Sequence, residues 1–477
     1  MEAPYLPRPM RTLAKVAWLL ALSSMLLAAP ASAESSTAHR LTVREATEHA
    51  LARRPSAILA TAREELQAAR GDAADADGLP RVTLVAQANR STGNVVPGST
   101  FALAGLPGVQ GPPGASRFGA GEFQTVAGVT ASWDVMELVR RPALAAVPGA
   151  ELRVARAQSA LARLVIVTQV ADAYLLVAEA RALRTAAAAS LARTEVFRAT
   201  VAALVEQRLR PEMDLARAES ELATARVLVE RTKLGVATTS ARLAEALGET
   251  AWDIDIVEDD FASLPALPAA SFASVRLAAH PAVAAQSEGA HTAEARARVA
   301  RLGYLPRVDL LGAAWLRGGG YVLGGPNSGD AAGLLPDTPN WALGLAASWT
   351  PTEIGPATAR AHAEQAEAKL AMARAGEVEE SLGAELRSAH AALESSLAVS
   401  RETAVALRAS RRTLELAAAR YTSGLGTVVE IADAERALAT AERDAAVARL
   451  EAWRAVVALC RAAGTTTPIF ARPLEEH

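Results

Sequence analysis

Apolar and polar positions alternate in four segments of the chain, two in each half. The segments cover residues 82–88, 123–133, 308–316 and 341–349. Because successive side chains of a β-strand point to opposite faces, a period of two residues predicts strands with one apolar face. Glycine and proline are frequent between the paired strands, at Gly108 to Gly119 and Gly318 to Asn327, and predict exposed loops there.

Two long stretches without proline predict unusually long helices. After Pro148 the next proline is Pro211, and Ala357 to about Ser423 is also free of proline. At about 1.5 Å per residue, some 60 helical residues form a rod of roughly 90 Å, longer than an ordinary domain. Each is followed by a shorter helix whose apolar residues recur at steps of three and four, which predicts a coiled-coil seam. The seam residues are Leu215, Ala218, Leu222, Ala225, Val229, Thr232 and Val236, then Ile431, Ala434, Leu438, Ala441, Ala445, Ala448 and Ala452.

A short turn joins each long helix to its shorter partner. In the first turn, Pro211 and Glu212 suit a helix start, because proline is tolerated there and an acid favours the positive end of the helix dipole. In the second, Gly424 suits the end of one helix and Thr427 caps the next. The chain therefore contains two helical hairpins.

The sequence repeats itself at a nearly fixed spacing. Leu79-Pro80-Arg81-Val82 recurs as Leu305-Pro306-Arg307-Val308, 226 positions later (306 minus 80). Further along, Ala131-Ser132-Trp133 recurs as Ala347-Ser348-Trp349, 216 positions later (349 minus 133). Offsets that persist over whole segments indicate an internal duplication. We therefore predict two structural repeats, residues 34–260 and 261–477, each with an opening helix, two strands and a long helical hairpin.

Composition and charge exclude several classes of function. Aromatic residues make up 4% and hydrophobic residues 51% of the chain, as expected for alanine-rich packed helices. The net charge of -3 does not favour nucleic acid as a partner. A single cysteine, Cys460, forms no internal disulfide, and no Cys/His spacing is typical of zinc. No nucleotide loop, catalytic triad or nucleophile motif stands out, so we expect no metal, no cofactor and no enzymatic activity.

The N-terminus has the features of an export signal, which we assign to residues 1–33. Arg11 and Lys15 precede an apolar stretch from Val16 to Leu27, and Ala31-Ser32-Ala33 is typical of a cleavage site. No later segment reaches about 20 uninterrupted apolar residues, so membrane insertion would require β-structure. The tryptophans at strand ends, Trp133, Trp341 and Trp349, suit a membrane interface.

Four strands cannot close a barrel in lipid, because every strand edge must be paired and known barrels begin at about eight strands. Three chains with four strands each would supply about twelve, so the membrane hypothesis requires a trimer. Two other interpretations stay open at this point: a small soluble sheet, and a periplasmic coiled-coil structural or adaptor protein. An adaptor would need a compact β-domain between its helices, whereas these strands come as separated pairs.

The chain resembles the TolC-like outer-membrane factor family over essentially its whole mature length. Leu41 to Ala46 with Pro55 is similar to the family's opening helix, and Arg420 to Gly424 followed by Glu430 to Glu435 is similar to its periplasmic tip. The resemblance implies a mainly α fold with a transmembrane β-barrel, in which a homotrimer forms a 12-stranded barrel in outer-membrane lipid and an α-helical tunnel in the periplasm. It further implies a passive exit duct of a tripartite efflux or type I secretion system. An inner-membrane transporter would supply the energy through a periplasmic adaptor (membrane fusion) protein, and drugs, metal ions and polypeptides all stay open as cargo.

The resemblance also implies roles for residues at the tips of the hairpins. Asp214 and Tyr421 match positions of a periplasmic gate, and a hydrogen bond from the phenol to the carboxylate would link neighbouring coils. Some relatives carry a further arginine tether where this chain has Gly426. The adaptor contact would be formed by five tip residues, although all five also suit simple turn formation. They are Leu209, Arg210, Gly424, Leu425 and Gly426.

Glu430 and Asp433 match an acidic constriction of the family. Three chains would place about six carboxylates around one axis, and such a ring attracts cations. The alternative is that both are ordinary solvated charges on a helix surface.

Overall fold

The structure, a computed structural model, describes nine segments of the chain. They are residues 40–92, 94–96, 110–113, 121–249, 254–257, 261, 264–265, 276–319 and 333–466. The predicted signal peptide, residues 1–33, lies outside the described residues, as does most of each predicted strand-connecting loop.

The opening helix, the long sheet strands and the helical hairpin follow one another in the same order in both halves, and the first half contains a second opening helix and short strands besides. The first half contains β1 (Arg40–Leu41), α1 (Val43–Arg53), α2 (Pro55–Asp77), β2 (Arg81–Thr92), β3 (Asn94–Val96), β4 (Gln110–Pro113), β5 (Gly121–Asp134), α3 (Glu137–Glu206) and α4 (Glu212–Leu247). After β6 (Asp255–Ile256), the second half contains α5 (Pro281–Arg301), β7 (Arg307–Gly319), β8 (Thr338–Ser348), α6 (Ile354–Thr422) and α7 (Val428–Ala463). The division into structural units at residue 260 stays a prediction.

The two long helices are confirmed, with one correction to where the first begins. α3 has 70 residues and α6 has 69, so each is roughly 105 Å long. α3 starts at Glu137 and contains Pro142 and Pro148, whereas the sequence predicted a start at Pro148. Each proline removes only one intrahelical hydrogen bond, and α3 packs along α2 and α5 on its flanks, so lateral packing holds the helix through both prolines.

Each long helix folds back on its shorter partner along the predicted seam. Ala218 and Leu222 are buried in α4, and Ile431 and Leu438 are buried in α7. Alanine at many seam positions brings the helix axes close together. The coiled-coil prediction is therefore confirmed in both hairpins.

The four predicted strands form one antiparallel sheet in the order β2-β5-β7-β8. Val82 pairs with Ala131, Ala131 with Gly312, and Gly312 with Leu343. Residues that pair directly across an antiparallel sheet share a face, so this register collects the apolar residues on one side. That face contains Val82, Leu84, Ala86, Ala88, Val129, Ala131, Leu310, Ala314, Trp341, Leu343 and Leu345. The other face is mixed: it contains the polar and small residues Arg81, Thr83, Gln87, Thr130, Ser132, Asn340 and Ala342, together with Val85, Val126, Leu311 and Trp315.

The largest apolar cluster lies in the middle of α3, where the two short strands β1 and β6 pair in parallel. Tyr174 is completely buried there, and its hydroxyl lies 2.9 Å from the carbonyl oxygen of Leu41 and 2.6 Å from that of Val257. Hydrogen bonds from Arg181 and then Arg40 hold the pKa of the Asp255 carboxyl below its ordinary value. The cluster thus ties the chain on both sides of the first hairpin to α3.

By length and composition, α3 is the one helix among the described residues that could cross a membrane. More than half of its most apolar 18-residue stretch, 56%, is buried against the rest of the chain. Such burial is typical of a core helix.

Candidate functional site

The free ends of the two hairpins have matching backbone conformations. Arg208 and Gly424 lie 216 positions apart (424 minus 208), and both have positive φ, 60° and 81°. Each is followed by an exposed leucine, Leu209 at 64% and Leu425 at 74% exposure. Glycine adopts this left-handed conformation without strain and arginine does not. The repeat therefore extends to the geometry of the tips.

A shared apolar cluster joins the two tips within one chain. Phe197 of α3 and Tyr421 of α6 contact edge to face, with ring centroids 6.1 Å apart. The other buried members of this cluster are Val201, Ala218, Ala417, Val428, Ile431 and Ala434. Side chains from α3, α4, α6 and α7 meet here, so the hairpin ends pack as one unit.

Arg210 connects the first tip to the second. Its Nη2 atom donates to the carbonyl oxygen of Tyr421 at 3.3 Å and to that of Gly426 at 3.1 Å. Its guanidinium carbon lies 4.5 Å from the centroid of the Tyr421 ring, within range of a cation–π interaction. The arginine thus contacts both the backbone and the aromatic ring of the opposite tip.

The expected hydrogen bond between Asp214 and Tyr421 is not formed within this chain. Both residues are buried, and the Asp214 carboxylate acts on the Tyr421 phenol electrostatically, but the phenol hydroxyl has no hydrogen-bond partner in the described part of the chain. Burial raises the pKa of the phenol, Asp214 raises it further, and Arg210 lowers it.

Gly426 has little free space around its Cα, whereas Gly424 is open. A Cβ atom on Gly426 would lie 3.1 Å from the amide nitrogen of Tyr421 and 3.2 Å from the carbonyl carbon of Arg420. A Cβ on Gly424 would meet nothing within 4 Å. The five predicted tip residues therefore differ in environment: Arg210 and Gly426 pack between the tips, and Leu209, Gly424 and Leu425 face outward.

Glu430 and Asp433, the predicted acidic pair, each lie beside an arginine of the same chain. Arg420 Nε is 3.5 Å from Glu430, and Arg436 Nη2 is 3.1 Å from Asp433. Glu430 also follows the N-cap residue Thr427, which accepts a hydrogen bond from its amide. Both carboxylates remain about half exposed, 45% and 59% for their side chains.

Three ion pairs between the hairpins were missed by sequence reasoning. Arg193 of α3 binds Glu435 at 3.2 Å and Glu442 at 2.8 Å, both on α7. Burial raises the pKa of the Glu435 carboxyl, and Arg193 opposes that shift. Arg436 further links α7 to Glu221 of α4 at 3.3 Å. These pairs join residues more than 200 positions apart, so no local spacing could have indicated them.

Among the described residues, no group of three or more His, Cys, Asp or Glu side chains is placed to hold a metal ion.

Long helical hairpins below a sheet with one apolar face define the class of outer-membrane channel subunits that have periplasmic helices. The chain belongs to the outer membrane efflux protein family, whose model matches residues 46–249 and 273–465. It is therefore a protein of the outer membrane, in a family of channels rather than enzymes, and the suspected resemblance is confirmed.

Solved structures of several channels share this fold. The outer-membrane channel OprN is 22% identical, with a TM-score of 0.69 over 89% of this chain and 90% of that one. VceC from Vibrio cholerae is 20% identical, with a TM-score of 0.69 over 89% and 96%. The open state of MtrE from Neisseria gonorrhoeae is 19% identical, with a TM-score of 0.69 over 91% and 90%. Among curated proteins, none matches the chain.

Proposed function

We propose that three copies of this chain form the outer-membrane exit duct of a tripartite efflux or type I secretion system. The observation that carries the proposal is the sheet, which has one predominantly apolar face and, within the described residues, an unpaired edge on both β2 and β8. Exposed edges are avoided in soluble proteins and forbidden in lipid. Pairing β8 of one copy with β2 of the next around a closed ring removes every edge, and three copies give a twelve-stranded barrel.

The helical hairpins would then form the periplasmic tunnel, and their tips would bind the adaptor protein. Leu209 and Leu425 expose apolar side chains at the ends of the hairpins, and the backbone at Gly424 is open to close approach. An adaptor with a small helical hairpin fits such a surface, and an inner-membrane transporter supplies the energy. The duct itself is passive.

The face assignment is tested by arginine substitutions at two neighbouring positions in the middle of β8. Leu343→Arg places a charge on the apolar face, where insertion into hydrocarbon is unfavourable. Ala342→Arg places the same charge on the opposite face, which would line the water-filled lumen. We expect L343R to lose trimers from the outer-membrane fraction and A342R to keep them, as measured by fractionation and by the mass of the detergent-solubilised complex. Equal tolerance of both variants, or a wild-type chain that stays monomeric and forms no pore in a bilayer, would overturn the proposal.

Glu430 and Asp433 are proposed to make the tunnel tip cation-selective. Their arginine partners reduce the net charge, so the effect depends on how far each carboxylate faces the lumen. Glu430→Gln combined with Asp433→Asn is expected to lower cation selectivity and weaken block by polyvalent cations, measured by reversal potentials in planar bilayers. Glu402→Gln, at an exposed position elsewhere on α6, is the control for removal of a carboxylate. Unchanged selectivity in the double variant would exclude the two acids from ion selection.

A further inference from the structure

We infer that Arg210 ties the two hairpin tips of each chain together, and that the Tyr421 hydroxyl does not contribute to this tie. Only the effect of this tie on pore opening rests on the proposed duct function. The tie itself is a property of a single chain.

The first part of the tie is electrostatic. Tyr421 lies in the last turn of α6, which ends at Thr422, and Gly426 lies in the turn that follows. Carbonyl groups at a helix C-terminus carry partial negative charge and lack helical partners. Arg210 donates to a carbonyl oxygen in each of these two segments, and hydrogen bonds from a charged donor are about twice as strong as neutral ones.

The second part is the stacking of Arg210 on Tyr421. Tyr421 is 1% exposed, and its ring also packs against Phe197 and the rest of the tip cluster. A fixed aromatic ring with a guanidinium 4.5 Å from its centroid orients the arginine toward the two carbonyls. The phenol oxygen, without a partner in the described part of the chain, adds nothing to this arrangement.

Arg210 and Gly426 occupy equivalent positions of the two tips, 216 residues apart (426 minus 210). A side chain on Gly426 would press on the backbone of Arg420 and Tyr421, so the second tip cannot easily offer the reciprocal contact. The first tip supplies the arginine and the second supplies the carbonyls. The tie is therefore asymmetric within an otherwise repeated structure.

This arrangement has a consequence for opening of the duct. Arg210, the shared apolar cluster, and the ion pairs Arg193–Glu442 and Arg436–Glu221 all join the two hairpins of the same chain. The two tips of each chain are thereby held together, and loss of these contacts would free one hairpin to move against the other and raise the resting conductance of the proposed duct.

Hydrogen exchange of the purified full mature protein tests the tie without requiring a pore. Arg210→Gln should speed exchange of amides in residues 420–428 about tenfold, since a hydrogen bond to a charged group is lost. Arg208→Gln removes the same charge two residues away, where the side chain forms no hydrogen bond or ion pair within the described residues, and should leave exchange of these amides unchanged. Equal exchange in wild type and R210Q would overturn the inference.

Bilayer recordings and two variants of Tyr421 separate the ring from its hydroxyl. Tyr421→Phe keeps the aromatic ring on which Arg210 stacks, so it should retain both the slow exchange and the low resting conductance of wild type. Tyr421→Leu removes the ring and should lose both. If Y421F behaves like Y421L, the hydroxyl carries the tie and the inference is wrong. If R210Q speeds exchange but neither it nor wild type conducts, the tie stands and the proposed duct function fails.

Discussion

Replacing Tyr174 with alanine is expected to destabilise the chain by about 3–5 kcal/mol, as large-to-small changes of buried aromatic residues do. Tyr174 is fully buried, and its ring lies 5.8 Å from that of Phe261. The neighbouring β1–β6 pair has only two residues in each strand, too few to be stable alone. Loss of the ring therefore removes the surface on which this strand pair is held. Chemical unfolding followed by helical circular dichroism measures the effect.

Tyr174→Phe is the matched variant, because it keeps the ring and removes only the hydroxyl. The carbonyl of Leu41 still accepts from the amide of Val257, so mainly the carbonyl of Val257 loses its partner. We expect a smaller loss of about 1–3 kcal/mol, the usual cost of an unsatisfied buried polar group. Equal destabilisation by the two variants would show that the hydroxyl, and not ring packing, holds the strand pair.

Features set by local periodicity were predictable from the sequence. The strands around Val82 and Leu343, and the seam through Leu222 and Leu438, follow from side-chain directions that repeat every two residues in a strand or every three to four in a helix. The glycine at 424 and the cap at Thr427 follow from backbone preferences of single residues. Each of these inferences needs only neighbours in sequence.

The beginning of α3 and the β1–β6 pair depend on tertiary contacts instead. Local rules place a helix boundary at Pro148, but packing of the flanking helices continues α3 back to Glu137. The two-residue strands are held by Tyr174 and Asp255, and sequence patterning carries no signal for so short a pair. Propensity is a weak guide wherever packing opposes it.

The candidate site was predictable in position but not in its contacts. The matched spacing of the repeats located both tips, and Asp214 does lie close enough to Tyr421 to raise the pKa of its phenol. Which side chains form hydrogen bonds at the tips depends on how the two hairpins pack against each other. Arg210 therefore contacts carbonyl oxygens of Tyr421 and Gly426, a pairing that no residue spacing encodes.

Removing the charge of Arg193 is expected to cost about 3 kcal/mol at neutral pH, because it leaves two partly buried carboxylates without a partner. The side chains of Glu435 and Glu442 are each only 14% exposed. Arg193→Met keeps the length and the apolar stem of the side chain. The exposed pair Arg198–Glu219, at 41% and 51% exposure, provides the matched control, since Arg198→Met should cost less than about 1 kcal/mol.

The pH dependence of the same variants identifies the cause. Burial raises the pKa of Glu435 in the folded chain, so the folded state binds this proton more tightly than the unfolded state, and stability falls as pH rises from the unfolded pKa through the folded one. Without Arg193, which lowers that pKa, the folded pKa rises further and the loss at neutral pH grows. Lowering the pH from neutrality through the raised folded pKa of Glu435 should therefore restore much of the stability of R193M, because Glu435 then takes up its proton. The triple variant R193M with Glu435→Gln and Glu442→Gln should recover stability at neutral pH. A destabilisation of R193M that is the same at both pH values would assign the effect to lost packing of the arginine stem instead of unpaired charge.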